Sequence, residues 1–139
     1  IDVTPLLDWL ASVNADRPVA ERLMYAAPLL KAVALVLKET PELNGHHGPD
    51  GFEPSERVHL STAVALRGGG LMNPAILDVD RLSVGIGQVR ARPWVHDGAV
   101  VPRRLIDVTV AGDHRVSDGR TGAAFLARLA KRLERPEAL

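Results

Sequence analysis

Hydrophobic positions in the first forty residues recur at helical spacing. Leu6, Leu7, Leu10 and Val13 form one stripe. They follow a start signal in which Thr4 is a suitable N-cap and Pro5 suits the first helical position. Asn14 to Pro18 breaks the pattern. A second helix is predicted from about Ala26 or Pro28 through Glu39, where Leu29, Leu30, Val33, Leu37 and interleaved alanines leave little polar surface. A helix of that kind is buried on more than one side. Thr40-Pro41 ends it, because proline disfavours helix at the residue before it.

The period then changes. Gly45-His46-His47-Gly48-Pro49-Asp50-Gly51 is rich in turn formers and predicts a loop. From Arg57 to Leu66 the alternation has period two, with Val58, Leu60, Thr62, Val64 and Leu66 on one face. Neither face carries charge within that run, so a strand covered on both sides or lying at a subunit contact is expected. His59 reads there as an interior, hydrogen-bonded histidine. Gly68-Gly69-Gly70 predicts a hairpin connection to a strand over Leu71–Asp78, with Pro74 marking an edge or a bulge. Asp80-Arg81-Leu82-Ser83 has the form of a helix start with Ser83 as N-cap, yet Val84-Gly85-Ile86-Gly87-Gln88-Val89 reads as extended. That local contradiction is unusual in a folded sequence. Asp97-Gly98 predicts a hairpin after Trp94-Val95, with Val100–Val110 as the returning strand. Phe125, Leu126, Leu129 and Leu133 form the stripe of a last helix, which Pro136 closes. Helices first, strands in the middle and a helix last define an α+β domain.

Composition narrows the class of function. The 139 residues make one domain's worth of chain, and 46% hydrophobic with 24% charged residues is ordinary globular composition. Acidic and basic residues balance at 17 each, which leaves no electrostatic footprint for nucleic acid or an anionic membrane. The absence of cysteine rules out disulfides, thiolate metal sites and cysteine nucleophiles. No apolar run reaches spanning length, and an intracellular, cytoplasmic domain is expected.

Candidate chemistry is concentrated in one turn. Ala111-Gly112-Asp113-His114-Arg115-Val116-Ser117-Asp118-Gly119 connects the strand-like Leu105–Val110 run to the last helix. Such a place is rigidly held and open to a ligand. Spacing alone does not separate this from a solvated turn with a local ion pair, and the solvated turn is the commoner outcome. His46-His47 carries no metal expectation, since neighbouring side chains diverge and no third ligand stands at useful spacing. The triple glycine lacks the context of a phosphate-binding loop.

Asp113-His114-Arg115-Val116-Ser117-Asp118-Gly119, together with Trp94-Val95-x-Asp97-Gly98 before it and Phe125-Leu126 and Leu133-Glu134-x-Pro136 after it, resembles the catalytic domain of dihydrolipoamide acyltransferases. These are the core components of 2-oxo acid dehydrogenase complexes. Pro41-Glu42-Leu43-Asn44 and Gly70-Leu71-x-x-Pro74 agree, so the resemblance runs from near Asp2 to Leu139. The D-H-R-x-x-D-G order is specific, whereas the H-x-x-x-D-G within it is shared with chloramphenicol acetyltransferase. The resemblance implies a two-layer sandwich with a mixed β-sheet packed by helices, chloramphenicol acetyltransferase-like. It implies His114 as general base on the coenzyme A thiol, and Asp118 as a structural residue fixing the turn through an ion pair with an arginine, Arg115 being one candidate. It assigns no residue to coenzyme A binding and no metal. It implies coenzyme A and a lipoyl group carried on a separate domain, with lipoyl and subunit-binding domains lying outside residues 1–139. Its partners would be the lipoyl domain, the 2-oxo acid dehydrogenase and dihydrolipoamide dehydrogenase components, and further copies in a homotrimer and a larger symmetrical assembly. The Gly68–Asp80 region is slightly closer to branched-chain members.

One departure stands out. Members of the family carry a helix and a strand-turn stretch between the segments matching Arg81-Leu82-Ser83 and Val84-Gly85-Ile86-Gly87, including a serine or threonine that hydrogen-bonds the oxyanion. Here the two segments abut, at the junction where local signals already conflict. An intervening segment not represented between Ser83 and Val84 is expected, with a true deletion as the alternative. The deletion would leave a catalytically defective structural homologue; a free-standing coenzyme A-dependent acetyltransferase is a further alternative.

Overall fold

Helix α1 (Thr4–Asn14) begins one residue away from its expected cap, with Val3 at the N-cap position. The Thr4 hydroxyl is taken up elsewhere, accepting the Arg104 N–H at 2.8 Å. Asp2 accepts the Thr4 N–H at 2.8 Å and so satisfies one of the helix's open amides. The other Asp2 oxygen accepts from Arg103 Nε at 2.6 Å. The computed structural model describes residues 1–60, 64–65, 71–72, 83–112 and 118–139, the backbone alone at 64–65 and 71–72.

Helix α2 (Ala26–Lys38) follows the sequence expectation closely, with Pro28, Leu29, Ala32, Val33, Val36 and Leu37 buried along a broad face. Thr40 ends it, its hydroxyl donating to the Val36 carbonyl at 2.7 Å. The turn-rich segment after it is a hairpin, not a loop: β1 (Gly45–Gly48) pairs antiparallel with β2 (Gly51–Pro54). Turn chemistry occupies only the centre, where Gly51 adopts φ 120°, and the flanks pair. The histidines there diverge, His46 facing Glu53 at 3.2 Å and His47 Nδ1 lying 3.0 Å from the Gly48 carbonyl. Among the described residues no cluster of ligands suited to a metal occurs.

The expected strand from Arg57 is not formed over Arg57–Leu60. Its alternation is real even so: Val58 and Leu60 pack half-buried on the core, while His59 is exposed and not interior. Alternation reflects burial on one side, and without a partner ladder it does not make a strand. Backbone pairing appears further on, β3 (Val64–Ala65) running antiparallel to β4 (Leu71–Met72), as the hairpin reading requires. The rest of that predicted strand pair, with Pro74 and the glycines between, lies outside the described residues.

β5 (Ser83–Ile86) is the expected extended segment. β6 (Arg90–His96) and β7 (Ala99–Leu105) form the hairpin that Asp97-Gly98 predicts, with φ 50° and 79° at its two central residues. The single returning strand expected over Val100–Val110 is in fact two, β7 and β8 (Val108–Ala111). Ile106 turns inward, 1% exposed, and its N–H donates to the Ile1 carbonyl at 2.9 Å. That inward residue breaks the ladder. Asp107 beside it accepts both Arg92 guanidinium nitrogens at 3.1 and 2.7 Å, tying the hairpin to β8. The chain closes with α3 (Gly119–Leu133) and a 3₁₀ turn over Pro136–Ala138. Every pairing among the described residues is antiparallel and two-stranded, β1-β2, β3-β4, β5-β8 and β6-β7, so the mixed sheet is not seen among them.

One core joins these pieces. Leu29, Val33 and Val36 of α2, Ile106 and Phe125, Leu129 and Leu133 of α3 are buried together, with Val84, Val108 and Val110 packed on their margin. Phe125 is fully buried, so Phe125→Ala is expected to lower the unfolding free energy by about 3–5 kcal/mol, the usual effect of a phenyl-sized cavity. Urea denaturation measures it; a loss under about 1 kcal/mol would contradict this placement of α3.

Candidate active site

The candidate turn is suspended between β8 and α3, and each is fastened independently. On β8, Val108 and Val110 face the core while Thr109 and Ala111 are exposed. β5 supports it from one side, with Ser83 opposite Ala111, Val84 opposite Val110, Gly85 opposite Thr109 and Ile86 opposite Val108. Gly85 permits this closeness, since a Cβ there would meet Thr109 Oγ1 at 2.5 Å. On the other side α3 packs along α2. Arg128 donates to the Glu39 carbonyl at 2.9 Å, and Arg132 pairs with the Glu39 carboxylate. Both ends of the turn are therefore set by packing against one core.

Asp118 is the sequence-selected residue that the structure describes, and it occupies the N-cap of α3. Its Oδ1 accepts the Thr121 N–H at 2.9 Å and the Thr121 hydroxyl at 3.0 Å. The Thr121 backbone and hydroxyl hydrogen bonds hold the Asp118 carboxyl below the usual carboxylate range. Among the described residues Asp118 thus acts as a helix cap; an ion pair with Arg115 would involve a residue outside them. The signal was present in the spacing of Asp118-x-x-Thr121, N-cap to third helical residue. His114 and Arg115 lie outside the described residues, as do Asp113, Val116 and Ser117.

A second carboxylate, Asp2, was missed because its partner stands 101 positions away. Burial works to raise its pKa, but hydrogen bonds from Thr4 and the Arg103 pair outweigh this and hold it below the usual range. Asp107 is lowered as well, by the Arg92 hydrogen bonds and charge. These contacts brace the strands leading to the turn.

Comparison with known proteins identifies the class first by fold. A solved dihydrolipoamide acetyltransferase from Azotobacter vinelandii superposes with a TM-score of 0.82 at 24% identity, over 99% of this chain and 79% of that one. In that protein a serine, a histidine and an asparagine were investigated for their role in the catalytic mechanism, the asparagine four residues after the histidine and the serine 52 before it. The family profile of the 2-oxoacid dehydrogenases acyltransferase (catalytic domain) matches residues 1–85 and 83–139. The chain belongs to that family. Among curated relatives, the Rickettsia felis dihydrolipoyllysine-residue acetyltransferase component of pyruvate dehydrogenase complex is 24% identical over 191 positions, covering 97% of this chain and 46% of that protein. The Pseudomonas putida lipoamide acyltransferase component of branched-chain alpha-keto acid dehydrogenase complex is 32% identical over 78 residues, 56% of this chain and 18% of that protein. The chain therefore spans less than half the length of these relatives. A match of 191 positions cannot be filled by 139 residues, so the Rickettsia protein carries residues without a counterpart here.

The cap makes a prediction with a definite sign. A carboxyl whose pKa is lowered by folding adds stability that is present above its unfolded value, near ~3.9, and lost as pH falls through the folded value. Asp118→Ala is expected to lower the melting temperature at pH 7. Asp118→Asn, which still caps, is expected to keep most of it and to lose less than wild type on acidification to about pH 3. Thermal melts at both pH values read this out, and identical behaviour of the two variants would contradict the capping role.

Proposed function

We propose that this domain transfers an acyl group between a dihydrolipoyl sulfur and the coenzyme A thiol, with His114 as general base. The observation that carries the proposal is the anchoring of the D-H-R-V-S-D-G turn, β8 on one side and Asp118 capping α3 on the other. His114 precedes Asp118 by four residues, the spacing of the histidine and asparagine investigated in the Azotobacter protein. A thiol of pKa ~8.5 is mostly protonated at neutral pH, and a histidine near ~6.5 is matched to accept its proton. The coenzyme A sulfur then attacks the thioester carbonyl. The tetrahedral intermediate collapses with loss of the dihydrolipoyl sulfur, which takes the proton back from His114. Asp118 positions the turn and does not touch the reacting atoms.

The same reading supplies the finer architecture and the setting. The fold is taken as a two-layer, chloramphenicol acetyltransferase-like sandwich whose active site is completed in a homotrimer within a larger cytoplasmic assembly. Coenzyme A and a lipoyl domain are its substrates' carriers, and 2-oxo acid dehydrogenase and dihydrolipoamide dehydrogenase its partners. The family match falls in two parts that overlap at residues 83–85, the place where the intervening segment is expected, with a true deletion as the alternative. A true deletion would favour the second reading, a structural core subunit that has lost turnover. With an intervening segment the tryptic peptide Leu82–Arg90 is expected to be absent from the protein made in its own host, and its presence there would establish the deletion.

Steady-state assays with dihydrolipoamide and acetyl-, isobutyryl- or succinyl-coenzyme A test the activity and name the acyl group. His114→Ala is expected to lower kcat by roughly 10²–10⁴-fold, the range for loss of a general base. A wild-type protein with no transfer for His114→Ala to remove would leave the structural reading.

A further inference from the structure

We infer that the outer edge of β8 is a docking edge for an extended backbone segment. Its occupant is the stretch of this chain that precedes Ile1, added as an antiparallel strand opposite Val108 and Val110. The inference goes beyond the acyl-transfer reading and stands independently of it.

Backbone hydrogen bonds alternate in direction along the chain from Arg104 to Ala111, as successive residues of an antiparallel strand require. The Arg104 carbonyl accepts the Val3 N–H at 2.8 Å. The Ile106 N–H donates to the Ile1 carbonyl at 2.9 Å, and the Ile1 nitrogen donates to the Ile106 carbonyl at 2.8 Å. Asp107 turns the other way, its carbonyl accepting the Gly87 N–H at 2.8 Å. With Gly87 opposite Asp107, the β5 register makes Gly85–Thr109 and Ser83–Ala111 the hydrogen-bonded pairs. Val108 and Val110 therefore present their N–H and C=O groups to the side on which Ile1 meets Ile106. Among the described residues β8 has β5 as its one strand partner, and no backbone bond reaches these four groups.

Val108 and Val110 are half-buried and pack on the core. Backbone groups in such a place are paired in folded proteins, and an edge that presents them accepts an added strand. The line of the first residues says which strand. Ile1 to Val3 already run antiparallel to Arg104–Ile106, with Asp2 opposite Leu105. Continued in the same register, that line sets the second residue before Ile1 opposite Val108 and the fourth opposite Val110. No turn and no change of register intervene, and a peptide nitrogen at Ile1 makes the same bond to Ile106. The β6–β7 hairpin offers a poorer edge, because Pro93 and Pro102 stand opposite each other and neither has an N–H to give. The added strand holds β8 from the side opposite β5, immediately before the turn that carries His114.

The test is residue-resolved hydrogen–deuterium exchange on the protein made from its whole reading frame, with the Thr109 and Ala111 amides, bonded to β5, as internal references. The Val108 and Val110 amides are expected to exchange within about tenfold of those references. Proline in place of the second or the fourth residue before Ile1 is expected to speed their exchange by about tenfold or more, with Thr109 and Ala111 still protected. Proline in place of the third, whose N–H points away from β8, is expected to leave all four amides unchanged. Val108 and Val110 exchanging as open amides in the whole protein, beside protected Thr109 and Ala111, overturns the docking edge. Protection that none of the three prolines alters overturns the occupant, and protection that falls on dilution assigns the edge to a second copy of the chain. Exchange is read without turnover, so a protein that transfers no acyl group overturns the proposed function and leaves this inference standing.

Discussion

Burial of Phe125, Leu129 and Leu133 against α2 is the interaction on which the remaining structure depends. It fixes α3, and through the shared core with Ile106, Val108 and Val110 it fixes β8 in the same frame. The elements on either side of the candidate turn are therefore held by one apolar cluster. Burying a side chain of this size contributes roughly 1.5–3 kcal/mol, well above what the exposed Arg92–Asp107 and Arg132–Glu39 pairs supply in water. Charge in this protein orients and braces, while apolar packing places.

That division explains which features were legible in the sequence. α2, α3 and the Asp97-Gly98 hairpin each have a local cause, a period or a dipeptide, and each was readable. The β1–β2 hairpin was not, because turn formers at its centre mask the pairing of its flanks. The split of Val100–Val110 into β7 and β8 depends on Ile106 reaching a core built by α2 and α3, a tertiary cause invisible to a window of ten residues. Thr4 lost its capping role for a similar reason, since Arg104 arrives from the far end of the chain to use its hydroxyl. His59 read as interior because its neighbours alternate, but the face it occupies is exposed.

The candidate site was legible in part. The turn stood out as chemistry packed between two regular elements, and the family match now covers both halves of the chain around it. Asp118 caps α3 by accepting from Thr121 three residues on, while Arg115, the arginine considered as its ion-pair partner, lies outside the described residues. Ser83 had been read as a helix cap without a helix. Its position opposite Ala111 becomes apparent only from the β5–β8 register, and the local conflict at Ser83–Val84 coincides with the break in the family match.

The central claim is that a histidine in this turn drives acyl transfer. The most direct measurement is the pH dependence of kcat for acetyl transfer from acetyl-coenzyme A to dihydrolipoamide, with the thioester product detected by mass. The account predicts product formation that rises with pH through a single titration near ~6–7, the range of an imidazole acting as base. Absence of the thioester at every pH, or a rate that tracks only the free thiolate near ~8.5 and above, would contradict it.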